Sequence, residues 1–370
     1  MAKTKGNKPD YSSRAKHEPT AEELEQKAAT GKKRRNVSRH SVIIMIFVAV
    51  ALVCIFVGRW TWSIMNGYYG AFIDVDYNAE TAMGNARGLI YTDEESAVLE
   101  CQKEWDEFKS SRLWDEVDIT SSQDGASLHG YLYNDGASET VVYLPRFYED
   151  GTTDFLAASD LYEASNCNVF IPDARCVGKS EGEYFSWGYN EKYDLADWLS
   201  YLNGALGEQE FTLVGEGVGA NTILFAASAG SKDSGMTLDG ELLSPYNVRA
   251  IIAISPYESL YELAKTNLYT WYTLPSFPFL NSIVWKTNHS DCGFGVDDTA
   301  LANASGESGG GEEIPTCILT SDNDEYVSSD RCREVYALYN GSAQIFSTGG
   351  THLSIWPNLS DDVLEWLATL

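Results

Sequence analysis

"LVGEGVGANT", Leu213 to Thr222, follows a short β-type run and opens a helical one. Its glycines are spaced as in the strand-to-helix turn that presents a nucleophilic serine, G-x-S-x-G, but the central residue is Gly217. Glycine has no side chain to attack a carbonyl. It does suit the positive φ that such an elbow demands, so the turn survives the loss of its nucleophile.

Outward from this stretch, β-type and helical runs alternate. The strand "NVFIPDA" is followed by a helix over about Glu191 to Leu202. The strand "FTLVG" leads into a helix from Val218 to Ala229, and then comes the strand "VRAIIAIS". The series resumes with the strand "TCILTS", a helix near Ser329 to Tyr339, the strand "AQIFS" and a closing helix near Ser360 to Leu370. Ahead of it, "EVDITSS", "SLHGYLYN" and "ETVVYLP" read as two antiparallel strands feeding a more apolar third. Such alternation predicts a mostly parallel, eight-stranded α/β sheet with helices on both faces. It breaks for about sixty residues between Ile254 and Ile314. An aromatic, proline-bearing segment there predicts a lid over about 257–312, above the carboxyl ends of the strands.

The amino-terminal part has a different character. Residues 1–40 carry 11 Lys and Arg against 5 Asp and Glu, and show no apolar periodicity. They read as a basic, disordered tail. Ser41 to Gly58 is an uncharged run of eighteen residues, about 27 Å as a helix, which suffices for a bilayer anchor. "GKKRRNVSRH" precedes it, and Arg59, Trp60 and Trp62 follow. By the positive-inside rule the tail is cytoplasmic, the tryptophans mark the far interface, and the carboxyl-terminal domain lies outside the cell membrane. The long charged lead and the lack of a small-x-small site predict an uncleaved single-pass signal anchor. Residues 59–112 read as a membrane-proximal helical stalk, with "TDEESAVLECQKEWDEFKSSRLW" its clearest amphipathic run, and 113–370 as the α/β domain.

Beyond residue 40 the count is 15 basic against 49 acidic residues. That balance argues against nucleic acid or anionic lipid as a partner of the domain. Six cysteines follow the anchor residue Cys54, an even number that permits disulfides without fixing them. Cys167 and Cys176 flank a strand that holds them too far apart to pair with each other. No CxxC or Cys/His cluster points to a metal, and no cofactor is implied.

Three segments converge on chemistry: "VGEGVGANT", "TSDNDEYVSSD" and "STGGTHLSIW", each following a strand. Elbow, then Asp, then His is the chain order of the α/β-hydrolase triad. With "FIPDARCVGKSEGEYFSWGYNEKYDLADWLSYL" and "VRAIIAISPYESL", the chain resembles α/β hydrolases of the membrane-anchored bacterial kind, related to acyl-peptidase and esterase families, from about Trp105 to the end.

The resemblance implies a bacterial source and places His352 as the triad histidine. It is the one histidine of five that follows a late strand in a glycine-rich turn. Asp324 matches the acid that fixes the imidazole tautomer, with Val327 in register and Asp322 as its rival. Gly217 stands at the nucleophile. The N–H groups of Val218 and Phe147 match the oxyanion donors. The chain departs from the pattern in more than the serine. Pro145 and Arg146 replace a His-Gly pair, Ile254 replaces an Asp, and Cys176 and Val177 replace Gly-His.

Three functions fit this reading. One is a pseudoenzyme that binds an apolar, acyl or acidic small molecule under the lid, with Arg146 as a cationic handle. Another is an active hydrolase of ester or peptide bonds, in which His352 and Asp324 drive water or a substitute nucleophile such as Ser180 or Cys176. The third is a structural spacer.

Overall fold

The computed structural model describes residues 19–30, 38–72, 96–146, 158–231, 235–272, 275–288, 292–304, 307–339 and 343–370. They fall into two units that divide after Gly58.

In the first unit, Ala21–Thr30 is helical, within a tail whose composition predicts disorder. "AEELEQKAA" is rich in strong helix formers, and Glu22 and Glu23 complement the dipole of its first turn. Among the described residues one helix, Arg39–Ser63, is long and apolar enough to cross a membrane, and none of its apolar window is buried in the protein.

The second unit holds an eight-stranded sheet, built from β1 (Asp115–Thr120), β2 (Ser127–Tyr133), β3 (Glu139–Leu144), β4 (Asn168–Pro172), β5 (Glu210–Glu216), β8 (Asn247–Ile254), β9 (Thr316–Ser321) and β10 (Ala343–Thr348). A separate two-stranded ribbon is formed by β6 (Ala229–Ser231) and β7 (Gly235–Thr237). The order across the large sheet is β1-β2-β4-β3-β5-β8-β9-β10. Only β2 runs against its neighbours, pairing antiparallel with both β1 and β4, and every later pair is parallel. This is the order of the α/β-hydrolase sheet. The third predicted strand does not stay beside the second, because β4 inserts between them.

Pleating explains the two cores. Along β3, Val142 and Leu144 point to the face covered by the helices Glu191–Leu206 and Val218–Ala227. Val141 and Tyr143 point to the opposite face, under Ser96–Ser110, Ala158–Ser165 and Ile355–Leu367. The amphipathic run before the sheet thus packs into the domain: Cys101, Trp105 and Phe108 are buried. The closing helix starts at Ile355, five residues before the predicted Ser360. Pro357 does not prevent this, since a first-turn residue needs no intrahelical N–H bond.

Between β8 and β9 the lid segment is largely helical, with Leu260–Tyr272 and Ser276–Asn288 followed by two short 3₁₀ turns. Arg331, on the helix Ser329–Leu338, bonds Glu258 and pairs with Glu262 at 3.3 Å, which ties down the base of the lid. All seven cysteines are free thiols.

Candidate active site

The elbow at the end of β5 forms as its spacing predicts, and its three glycines have different reasons to be there. A Cβ on Gly215 would lie 2.4 Å from the Gly219 carbonyl carbon, and one on Gly219 would lie 2.2 Å from the Leu144 carbonyl oxygen. Close approach of strand, helix and the β3 turn therefore requires both outer glycines. Gly217 has φ +54°, and a Cβ there would meet nothing within 4 Å. The central position is empty, with room for a side chain. Its backbone is pinned by N–H donation to the Ile254 carbonyl (2.8 Å) and acceptance from the Asn221 N–H (3.0 Å).

His352 and Asp324 come together from turns that follow adjacent strands. The ring Nδ1 of His352 lies 2.6 Å from Asp324 Oδ2. Asp324 also accepts the backbone N–H groups of Tyr326 (2.8 Å) and Val327 (2.9 Å) and the hydroxyl of Ser255 (2.9 Å). The rival Asp322 is exposed and pairs with Arg333 instead. Ser255, at φ +48°, follows Ile254 and turns its hydroxyl onto the acid. No sequence motif singles it out.

The other face of the imidazole is occupied. Glu216, the residue before the elbow glycine, is wholly buried, and its Oε1 lies 3.3 Å from His352 Nε2. In a working triad that nitrogen faces the serine hydroxyl. The same carboxylate accepts from Arg146 Nη1 at 3.3 and 3.4 Å. Arg146, read from the sequence as a cationic handle for a ligand, is buried, with 5% of its side chain exposed, and its charge is turned onto Glu216. A buried carboxylate beside it draws the guanidinium inward. The result is a ladder of alternating charge, Arg146, Glu216, His352, Asp324, with the Tyr326 ring packed edge-on against the imidazole at 5.3 Å between centroids. Glu216 escaped the sequence reading, although a charged residue ending the apolar run "FTLVG" is the signal that marks it.

Burial by itself pushes the His352 pKa down, but the Asp324 and Glu216 carboxylates outweigh it and raise the value above 6.5. Burial pushes Asp324 up, and the imidazolium with the two backbone N–H groups outweighs that, holding it below 3.8. The signs define a pH window. The histidine contribution to stability is complete below pH 6.5 and is lost as pH rises through the raised folded value. The aspartate contribution is complete above pH 3.8 and is lost as pH falls through the lowered one. His352→Gln is therefore expected to lower the melting temperature most between pH 3.8 and 6.5, with the difference shrinking in alkali. Thermal melts of both proteins across pH check this, and a difference that grows with pH contradicts it.

Val218 opens the elbow helix, so its N–H is one of the four that lack an intrahelical acceptor. Phe147, the other oxyanion candidate, lies outside the described residues. The substitute nucleophiles are engaged elsewhere. The Ser180 hydroxyl donates to the Asp173 carbonyl (2.8 Å) and accepts the His129 N–H (2.9 Å). Burial pushes the Cys176 thiol well above its usual range, away from the thiolate a nucleophile needs.

The motif-rich loop containing these residues is a brace. Arg175 grips Asp194 through Nε (3.0 Å) and Nη2 (2.8 Å), and Ser121 donates to the same carboxylate. Glu191 accepts the N–H groups of Ser186 (2.9 Å) and Gly188 (2.8 Å). Between this brace and the elbow, a cavity of about 30 Å³ touches Pro145, Val218 and Gly219. That volume is large enough for one water and too small for an acyl chain. Among the described residues no group of three or more His, Cys, Asp or Glu is arranged to hold a metal ion.

No family model and no curated protein matches the chain. Among solved structures it is similar to a Pyrococcus furiosus esterase, at 18% identity with a TM-score of 0.49, covering 71% of this chain and 92% of that one. It is also similar to an α/β-hydrolase-fold protein from Chitinophaga pinensis, at 16% identity and TM-score 0.45, covering 69% and 97%. A serine hydrolase homologue from Coxiella burnetii follows at 17% and 0.38, covering 69% and 96%. The α/β-hydrolase architecture of this chain stands on its own strand order and pairing, β1-β2-β4-β3-β5-β8-β9-β10 with the elbow at the end of β5.

Proposed function

We propose that this is a membrane-anchored, extracytoplasmic α/β-hydrolase-fold protein that has given up acyl transfer and acts by binding. The observation that carries the reading is the Glu216 carboxylate lying against His352 Nε2, beside an empty position at Gly217. Nucleophilic catalysis needs a hydroxyl or thiol at that point and a neutral imidazole to take its proton. Here a carboxylate meets the nitrogen, and the paired charges favour imidazolium.

The hydrolytic alternative, with His352 and Asp324 activating water, needs the same nitrogen free. It has less support, and the bonds that engage Ser180 and the raised thiol of Cys176 weaken it further. The binding reading draws on the aromatic lid segment, and its ligand class is apolar or acyl.

Anchoring rests on the apolar helix Arg39–Ser63, and the orientation rests on the basic run "GKKRR" before it. The full chain in detergent is expected to show no covalent labelling by a fluorophosphonate and no ester turnover that disappears in His352→Ala. Stoichiometric labelling or such turnover sinks the proposal.

A further inference from the structure

The lid segment leaves β8 through "SPYESL", Ser255 to Leu260, and its base is gathered on one guanidinium. Arg331, on the helix Ser329–Leu338, meets three carboxylates through a single nitrogen. Its Nη1 donates to Glu258 Oε1, lies 3.3 Å from Glu262 Oε2 and donates to Glu334 Oε2 at 3.4 Å. Glu262 is shared with Lys265 Nζ at 2.9 Å. Backbone bonds make the same place the junction between the start of the lid and its 3₁₀ turns. The Glu258 carbonyl accepts the Leu301 N–H (2.9 Å), Thr299 Oγ1 accepts the Leu260 N–H (3.2 Å), and Cys332 Sγ donates to the Pro256 carbonyl (3.3 Å).

Fully ionised, this node sets Glu258, Glu262 and Glu334 against Arg331 and Lys265, one negative charge in excess. Position decides which carboxylate bears it. The Glu334 side chain is 60% exposed, and Glu262 has a lysine of its own. The Glu258 side chain is 15% exposed, and its Oε2 is buried with no hydrogen-bond partner among the described residues. An ionised carboxylate with one oxygen cut off from water is the costly form, and a proton on Glu258 removes that cost and makes the node neutral. Burial pushes the Glu258 carboxyl up, to about 7, and the neighbouring Glu334 adds to this, against the pull of its own backbone N–H and of Arg331. The groups that face Glu258 are Arg331, Cys332 and Glu334 from the helix Ser329–Leu338, Glu262 and Lys265 from the helix Leu260–Tyr272, and the Leu301 N–H from the second 3₁₀ turn.

We propose that Glu258 and Arg331 form a proton-governed latch on the lid, fastened while Glu258 carries a proton and loosened once it is ionised, so that the base of the lid opens more often as pH rises. The sign follows from linkage. A carboxyl whose closed-state value is raised contributes in full below its ordinary value of 4.5, and that contribution is lost as pH rises through about 7. The latch goes beyond the binding reading and depends neither on the anchor nor on Gly217.

Hydrogen–deuterium exchange of the full chain in detergent, at about pH 6 and about pH 8 with times rescaled for the intrinsic rates, follows the peptides that hold the Leu260 and Leu301 amides. Their opening equilibrium is expected to rise about tenfold between the two conditions, the ratio that linkage gives for a carboxyl titrating at about 7 closed and at 4.5 open, while β5 and β8 keep their protection. Glu258→Gln has the same shape and cannot ionise, so its rescaled protection should be equal at both pH values. Glu334→Gln, at an exposed side chain, removes the neighbour that raises Glu258 and should move the midpoint to lower pH; it decides alone if Glu258→Gln does not fold. Equal rescaled protection of the parent at both pH values overturns the latch. A pH dependence that persists unchanged in Glu258→Gln, or a midpoint unmoved in Glu334→Gln, also overturns it and points to His352, whose own value is raised above 6.5.

Discussion

Gly217→Ser, made alone in the full chain, is expected to give a folded protein that a fluorophosphonate still fails to label, whereas Gly217→Ser with Glu216→Ala and Arg146→Ala labels at position 217. Space does not limit the single substitution, since a Cβ at 217 meets nothing within 4 Å. The positive φ costs on the order of 1–2 kcal/mol, which a domain of this size absorbs. What the new hydroxyl lacks is a base. His352 Nε2 is covered by Glu216 at 3.3 Å, and the flanking carboxylates raise the ring's pKa, which favours the imidazolium over the free base.

Removing Glu216 uncovers the nitrogen and lowers the histidine pKa toward its ordinary value. Removing Arg146 with it avoids leaving a buried guanidinium without its counter-charge. The triple variant should label faster than the single one by about 10² to 10⁴, the range a positioned general base contributes. Intact-mass kinetics measure both rates. Equal rates would mean that Glu216 obstructs nothing, and the difference from a working triad would then reduce to one missing hydroxyl.

The sheet was legible because its signals are local. Strand-length apolar runs alternate with helical ones, and the elbow glycines at 215 and 219 are set by backbone contact that no other residue allows. The pairing of His352 with Asp324 came from the resemblance, and its register with Val327 has a physical reason, since the Val327 N–H binds the acid. Glu216 was not legible, because its meaning depends on Arg146, seventy residues away in sequence. The sequence shows several departures around one crevice, among them a glycine for a serine and an arginine for a glycine, without showing how they are joined. In space they form one compensated set. The segment that carries most of the resemblance, "DARCVGKSEGEYFSWG", proved to hold buried ion pairs and turn bonds. Such a loop stays recognisable whether or not the chemistry persists.

Arg146→Ala is expected to destabilise the protein by about 3–5 kcal/mol, because deleting one partner of a buried ion pair leaves the other charge uncompensated. For a domain of this size that is a fall of roughly 10 °C in melting temperature. With His352 protonated the ladder is neutral: two cations, two anions, alternating. Without Arg146 it carries a net negative charge at Glu216, whose side chain has no exposure to water. At the far end Asp324 keeps its hydrogen bonds from Ser255, Tyr326 and Val327, so the deficit cannot be shared there.

Arg146→Met with Glu216→Gln removes both charges together and should return most of the loss, since a buried pair replaced by neutral groups of similar volume is often no less stable. A cycle of the two single variants and the double variant, read by thermal or denaturant unfolding, measures the coupling. If Arg146→Ala stays within about 1 kcal/mol of the parent, the value expected of a solvated surface pair, the guanidinium is screened by water and the ladder does not hold the crevice shut.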